Sequence, residues 1–177
     1  MTGREHGPGA GVGEGDGPGK YLLVAGVAAA IVALDQWTKI TVAGSMRLHE
    51  TRPILPGFFD LTYVRNTGAA FSMLAGRSAA FRIPFFTAIS LLAGIAILSF
   101  VRRTPASRRV VLLSCAAVLG GAIGNLVDRL VYGEVIDFLS LHWNGFYWPA
   151  FNVADSFITV GVVVLLGRAL LGHDDMA

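Results

Sequence analysis

Two aspartates lie inside hydrophobic stretches that are long enough to cross a bilayer. Asp128 follows Asn125 by three residues, and Asp155 follows Asn152 by the same spacing. An ionisable side chain in a membrane span is energetically costly, so it is rarely present without a function. Two carboxylates that meet in one membrane protein can share a proton and activate a water molecule. The pattern therefore suggests proton chemistry, and more specifically that of an aspartyl protease.

The composition is that of a membrane protein. Of the 177 residues, 54% are hydrophobic and 15% are charged, whereas about a quarter are charged in a typical soluble domain. The length predicts a single domain, and a net charge of +2 is too small to indicate nucleic-acid binding. Cys115 is the one cysteine, and the four histidines have no metal-ligand spacing. We therefore expect neither a metal nor another cofactor.

Four hydrophobic stretches of about 20 residues each predict four transmembrane helices, because this length spans the hydrocarbon core. The stretches cover residues 21–42, 79–101, 110–131 and 151–171. The glycine-rich residues 1–19 are predicted to be a disordered tail. Residues 20–172 are predicted to form one four-helix domain, followed by a short C-terminal tail over 173–177.

The arginine-rich loop 102–109 indicates the topology, because cytoplasmic loops carry an excess of Lys and Arg. With four spans, both termini are then cytoplasmic, and loops 43–78 and 132–150 lie outside. Residues 58–64 predict a strand between two turns, and the second outer loop is rich in the aromatic residues that lie at lipid headgroups. The predicted fold is an all-α membrane protein: four transmembrane helices with a small β-sheet and an aromatic-rich loop on the outer face.

This topology puts Asp128 and Asp155 at similar depth, just beneath the outer headgroups. Each shares a helix face with its asparagine, because residues spaced i, i+3 are neighbours on a helix surface. The ionised carboxylate could take a proton from a water that attacks a peptide carbonyl, while the protonated one donates a hydrogen bond to the carbonyl oxygen. This mechanism needs no metal and no covalent intermediate. The sequence leaves open which aspartate plays which role.

Other interpretations of the two aspartates remain open from the residues alone. They could be unrelated, with Asn152 capping the fourth helix and Asp128 paired with Arg129. They could serve a small proton-coupled membrane transporter, although transporters place their sites near the midplane. A non-enzymatic assembly factor, in which polar side chains join helices, is the third alternative.

Three further charged residues have two interpretations each. Asp35 and Lys39 have the i, i+4 spacing of a helical ion pair, for which a structural role is favoured over a role in a site. Asp137, in the second outer loop, is predicted either to pair with Arg129 or to be a solvated loop acid.

Four sequence blocks, in this order, are similar to those of the lipoprotein signal peptidases (signal peptidase II), which are aspartyl proteases of bacterial membranes. The matching blocks are residues 35–39, 64–71, 121–129 continuing through 137–138, and 151–156. One N-x-x-D motif is uninformative, but four blocks in order within a four-span chain are specific. The resemblance implies removal of signal peptides from diacylglyceryl-modified prolipoproteins, with the cut just before the lipidated cysteine.

The resemblance also implies roles for individual residues. Asp128 and Asp155 would be the catalytic dyad. Residues that would bind substrate or shape the site are Asn66, Gly68, Asn125, Arg129, Asn152 and Ala154. Residues that would support the site are Asp35, Lys39 and Asp137. The strand-forming loop 43–78 would cover the scissile bond.

The expected partners are prolipoprotein substrates, membrane lipids and, by the resemblance, inhibitors of the globomycin type. The expected location is the bacterial cytoplasmic (inner) membrane, as a multi-pass monomer with its active site near the outer face.

Overall fold

The computed structural model describes residues 17–68 and 76–171, which form four helices and four strands. In chain order these elements are α1 (Gly19–Ser45), β1 (Thr51–Leu55), β2 (Phe59–Asn66), α2 (Ala79–Arg103), α3 (Arg109–Tyr132), β3 (Val135–Trp143), β4 (Phe146–Tyr147) and α4 (Val153–Leu170). All four helices are long and apolar enough to cross a membrane, which confirms the predicted number and places of the spans. Of the predicted tails, residues 1–16 and 173–177 lie outside the described ranges, and α1 already begins at Gly19.

Helix α3 is the centre of the bundle and packs against each of the other three helices. Glycines make this packing close, since a glycine lets the backbone of a neighbouring helix approach. A Cβ added at Gly120 would lie 2.9 Å from the carbonyl oxygen of Ala28 in α1. One added at Gly121 would lie 2.5 Å from the carbonyl oxygen of Ala154 in α4.

The strands form one antiparallel sheet in the order β1-β2-β3-β4. The predicted strand over 58–64 corresponds to β2, whereas β3 and β4 lie in the loop whose aromatic residues were interpreted as interfacial anchors. One buried cluster joins the sheet to the C-terminal end of α1 and consists of Val42, Met46, Tyr63, Ile136 and Phe138. Gly133, with a φ of 74°, ends α3 and turns the chain into β3, so the sheet is held against the end of the helices.

The contact between α3 and α4 predicts the effect of Gly121→Ala. The added methyl group would overlap the Ala154 carbonyl and lie 2.7 Å from Cγ1 of Ile158. We expect Gly121→Ala to lower the free energy of unfolding by about 1–3 kcal/mol, the usual cost of overpacking. Thermal unfolding of the purified protein in detergent micelles measures this change.

Gly94→Ala is the matched control, because a Cβ there would lie 3.8 Å from Cδ1 of Leu119, which is ordinary van der Waals contact. This variant should not lower the free energy of unfolding, and the higher helix propensity of alanine could raise it by up to about 1 kcal/mol. Equal effects of the two substitutions would contradict the close packing of α3 on α4.

Candidate active site

A cavity of about 980 Å³ lies between α2, α3, α4 and the sheet. Its apolar part runs along the three helices and includes Ile89, Ala93, Val118, Ala122 and Ile158. Its polar part lies where the helices meet the sheet. The polar side chains there that could take part in chemistry are Asn66, Asn125, Arg129, Asp137 and Asp155.

Asp155 is positioned by the first turn of α4. Asn152 caps this helix, since its Oδ1 accepts a hydrogen bond of 2.9 Å from the backbone N–H of Asp155. In return, Oδ2 of Asp155 accepts from the backbone N–H of Asn152 at 3.3 Å. Nδ2 of Asn125, on α3, donates to the other carboxylate oxygen at 2.7 Å. The capping role weighed from the sequence is therefore present, and it aims the carboxylate at the cavity.

Asp137 enters the cavity from β3 and is only 2% exposed, so the interpretation as a solvated loop acid is wrong. Its Oδ1 accepts a hydrogen bond of 2.7 Å from Nδ2 of Asn152. Its Oδ2 accepts one of 3.0 Å from Nδ2 of Asn66, on β2. Asn152 thus bonds to both Asp137 and Asp155.

Burial and the nearby Asp155 carboxylate raise the pKa of Asp137 from 3.8 to about 7. Hydrogen bonds from Asn66 and Asn152 and the charge of Lys39 act in the opposite direction. A carboxyl group that titrates near neutral pH in a cavity is suited to acid–base chemistry.

Asp128 has a different environment from the one expected. It is fully buried and does not line the cavity. Its Oδ2 lies 3.0 Å from Nζ of Lys39 and accepts a hydrogen bond of 3.0 Å from the backbone N–H of Ile136. Its Oδ1 accepts from Nε2 of Gln36 at 2.8 Å. The geometry therefore favours Asp137, rather than Asp128, as the carboxyl group that acts with Asp155.

The predicted ion pair between Asp35 and Lys39 is present, with a distance of 2.7 Å. It reaches further than a local helix contact, because Oδ1 of Asp35 accepts from the backbone N–H of Ala154 at 2.9 Å. Lys39 also donates to Oδ1 of Asn125 at 2.9 Å. Because Oδ1 of Asn125 accepts from this cation, its Nδ2 faces Asp155.

The remaining predicted residues surround the pair of carboxyl groups. The backbone N–H of Gly68 donates to Oδ1 of Asn66 at 2.9 Å. The backbone carbonyl of Gly68 accepts a hydrogen bond of 3.4 Å from Nη2 of Arg129. The Arg129 guanidinium lies over the Phe86 ring at 4.6 Å, a cation–π contact. Ala154 is fully buried beside Gly124, outside the cavity lining, so it shapes the site through packing.

Two residues that sequence reasoning left out contribute to the site. Gln36 donates a hydrogen bond to Asp128, and the ring of Phe86 packs against the guanidinium of Arg129. Gln36 lies beside Asp35 in the first matching block, which was a usable signal, whereas no signal in the sequence indicated Phe86. Within the ranges 17–68 and 76–171, no group of three His, Cys, Asp or Glu side chains could hold a metal ion.

Comparison with known proteins agrees with the family resemblance of the four sequence blocks. The sequence pattern of the family described as "Signal peptidase (SPase) II" matches residues 27–171. The chain is 48% identical to the lipoprotein signal peptidase of Syntrophotalea carbinolica over 147 residues, which are 83% of this chain and 90% of that protein. It is 46% identical to that of Syntrophus aciditrophicus over 146 residues, or 82% and 89% of the two chains.

A solved bacterial membrane enzyme has the same fold, with a TM-score of 0.77 and 29% sequence identity over 88% of this chain and 92% of that one. A second solved bacterial membrane enzyme gives a TM-score of 0.75 at 30% identity, with 87% and 94% coverage. With a family match over most of its length and four membrane helices, the chain belongs to the signal peptidase II family of multi-pass bacterial membrane proteins.

Proposed function

We propose that this protein is a membrane aspartic endopeptidase that removes signal peptides from prolipoproteins, with Asp137 and Asp155 as its catalytic carboxyl groups. The observation that carries the proposal is their meeting in one cavity, where Asn152 bonds to both. The relatives named lipoprotein signal peptidase support the class of substrate. Asp155 keeps the role expected from the sequence, and Asp137 takes that of Asp128.

The shape of the cavity suits a diacylglyceryl-modified prolipoprotein. The apolar part between α2 and α4 can accept a signal helix, and the polar end can accept the peptide bond just before the lipidated cysteine. A globomycin-type inhibitor would occupy the same cavity. Asp137 and Asp155 of the same chain both line this cavity, which supports a monomer as the catalytic unit.

The arginine-rich connection between α2 and α3 supports an orientation with that connection and both termini in the cytoplasm. The sheet and the catalytic pair then lie at the outer face of the membrane, where the lipid anchor of the substrate remains.

In the proposed reaction, a water molecule attacks the carbonyl carbon of the scissile peptide bond. Asp155 accepts a proton from this water, and the protonated Asp137 donates a hydrogen bond to the carbonyl oxygen as negative charge develops there. The tetrahedral intermediate then breaks its C–N bond, and the cysteine nitrogen receives the proton held by Asp155. The products are a carboxyl group on the signal peptide and an amino group on the cysteine.

The environments of the two acids support this division of roles. Asp137, whose pKa is raised to about 7 by burial and by Asp155, is protonated in a large share of the molecules at neutral pH. Asp155 lies in the first turn of α4, where the positive end of the helix dipole stabilises an anion. It also accepts hydrogen bonds on both oxygens.

The first prediction of this proposal separates catalytic from structural carboxylates. Asp155→Asn should lower kcat by roughly 100- to 10,000-fold, because an amide cannot accept the proton of the water. Asp137→Asn should lower kcat by roughly 100- to 1,000-fold, because an amide is a much weaker acid than a protonated carboxyl group and stabilises the developing negative charge less. The measurement is cleavage of a diacylglyceryl-modified prolipoprotein by purified protein in detergent micelles, with folding checked by circular dichroism.

Asp128→Asn is the matched comparison and should act mainly on stability. In either orientation the NH₂ of the new amide would face another donor: Gln36 on one side, or Lys39 and the backbone N–H of Ile136 on the other. We expect this to lower the free energy of unfolding by about 1–3 kcal/mol. Any folded Asp128→Asn protein should still cleave. If folded Asp128→Asn were inactive while Asp137→Asn cleaved within tenfold of the wild type, the dyad would be Asp128 with Asp155.

A second prediction concerns the pH dependence of cleavage. Above the raised pKa of about 7 for Asp137, this carboxyl group is ionised and the donor to the carbonyl oxygen is lost. We expect kcat/KM to fall as the pH rises through about 7. A value that stays constant well into the alkaline range would show that this proton is not required.

A third prediction concerns the pH dependence of stability. The raised pKa means that the folded protein binds a proton at Asp137 between pH 3.8 and about 7, where the unfolded chain does not. The free energy of unfolding of the wild type should therefore fall, relative to that of Asp137→Asn, by a few kcal/mol as the pH rises through this window. Parallel pH curves for the two proteins would contradict the raised pKa.

A further inference from the structure

A buried arginine outside the catalytic pair holds the chain that follows β2. Arg82, in the first turn of α2, is only 8% exposed. Its Nη1 donates to the carbonyl oxygen of Thr67, and its Nε donates to the carbonyl oxygen of Arg77 at 2.9 Å. Arg82 thus joins the chain before residues 69–75 to the chain after them.

The bonding of this arginine is unusual for a buried cation. Burying a charge is costly unless it is paired or hydrogen-bonded, yet within the described residues Arg82 has no carboxylate partner. Its guanidinium instead donates hydrogen bonds to two backbone carbonyls, those of Thr67 and Arg77. A lysine keeps the charge but lacks the planar fork that can bind both carbonyls at once.

The chain held by Arg82 leads directly to Asp137. Thr67 is followed by Gly68, whose backbone N–H donates to Oδ1 of Asn66 at 2.9 Å. This bond fixes the orientation of the amide, so that Nδ2 of Asn66 points to Oδ2 of Asp137 at 3.0 Å.

From this geometry we infer that Arg82 is a positioning residue for the proteolytic reaction, because it holds the Asn66 amide against the Asp137 carboxyl group. The inference rests on the proposed function of Asp137. Arg82 itself touches neither carboxyl group of the pair and acts through the backbone of Thr67 and Gly68.

The effect on Asp137 can be distinguished from a general loss of stability. The charged groups that act on Asp137 are Asp155 from α4, Lys39 from α1 and Arg129 from α3, and Arg82→Lys alters none of them. The hydrogen bond from Asn66 lowers the pKa of Asp137. When this bond is loosened the pKa of Asp137 rises, so the alkaline fall of kcat/KM moves to higher pH.

The test compares Arg82→Lys, Asn66→Ala and the double variant in cleavage of the lipidated substrate across neutral and alkaline pH. We expect Arg82→Lys to lower kcat/KM by up to about 100-fold, the order that results when a reacting group is misplaced by about 1 Å. Both single variants should move the alkaline fall to higher pH, and the double variant should move it no further than Asn66→Ala alone.

Arg77→Lys is the matched control, because the Arg77 side chain is exposed and its backbone carbonyl remains in the variant. It should keep the wild-type pH profile. An Arg82→Lys enzyme with the wild-type profile, or shifts that add in the double variant, would overturn the inference.

These outcomes are distinct from a failure of the proposed function. If Asp137→Asn cleaves like the wild type, the proposed function fails whatever Arg82 does. If Asp137→Asn is inactive and Arg82→Lys behaves like Arg77→Lys, only the role of Arg82 fails.

Discussion

The side chain of Asn152 is the contact on which the candidate site depends. It is fully buried where α3, α4 and β3 meet. Its Nδ2 donates to Asp137 at 2.7 Å and lies 3.1 Å from Oδ1 of Asn125, while its Oδ1 caps α4 at Asp155. One side-chain amide therefore caps a membrane helix at Asp155 and binds the carboxyl group of Asp137, while the backbone N–H of Asn152 binds the carboxylate of Asp155. A hydrophobic residue of similar size would leave several buried polar atoms without partners, which is costly inside a membrane protein.

The charges around Asn152 fall into two groups with different roles. Lys39 binds Asp35 and Asp128 at 2.7 and 3.0 Å in a fully buried cluster that joins α1 to α3, and Asp35 extends this cluster to α4. Asp137 and Asp155 receive mostly neutral amide donors and line the cavity. Lys39 forms direct ion pairs with the carboxylates that hold the helices together. Within the described residues no Lys or Arg forms such a direct pair with Asp137 or Asp155, so these two groups remain available for proton transfer.

The sequence predicted the helices well, because four long apolar stretches have few alternatives in a chain of this composition. From helix direction and spacing it also predicted that Asp128 and Asp155 would lie at similar depth, each with an asparagine beside it. The structure brings Asn125 and Asn152 to Asp155, whereas Asp128 pairs with Lys39. It did not predict β3 and β4, whose aromatic residues are equally typical of a membrane interface. The role of Asp137 could not be derived from helix spacing, because this residue lies on a strand.

Only the tertiary structure distinguishes Asp128 from Asp137 as the partner of Asp155. By helical spacing, Asp128 is as well placed as Asp155, and its neutralisation depends on a lysine from another helix. The i, i+4 spacing assigns Lys39 to Asp35 and gives no sign of its second partner. Burial of Asp137 likewise depends on the contact of β3 with the ends of α1 and α3, which is not visible in the local sequence.

The protonation state of Asp137 is the most direct test of this account, and infrared difference spectroscopy of the C=O stretch of protonated carboxyl groups can measure it. For the wild type in detergent micelles, we expect a protonated carboxyl band that disappears as the pH rises through about 7. The band should be absent in Asp137→Asn and present in Asp128→Asn. A band that persists in Asp137→Asn and is lost in Asp128→Asn would contradict the assignment of the catalytic proton to Asp137.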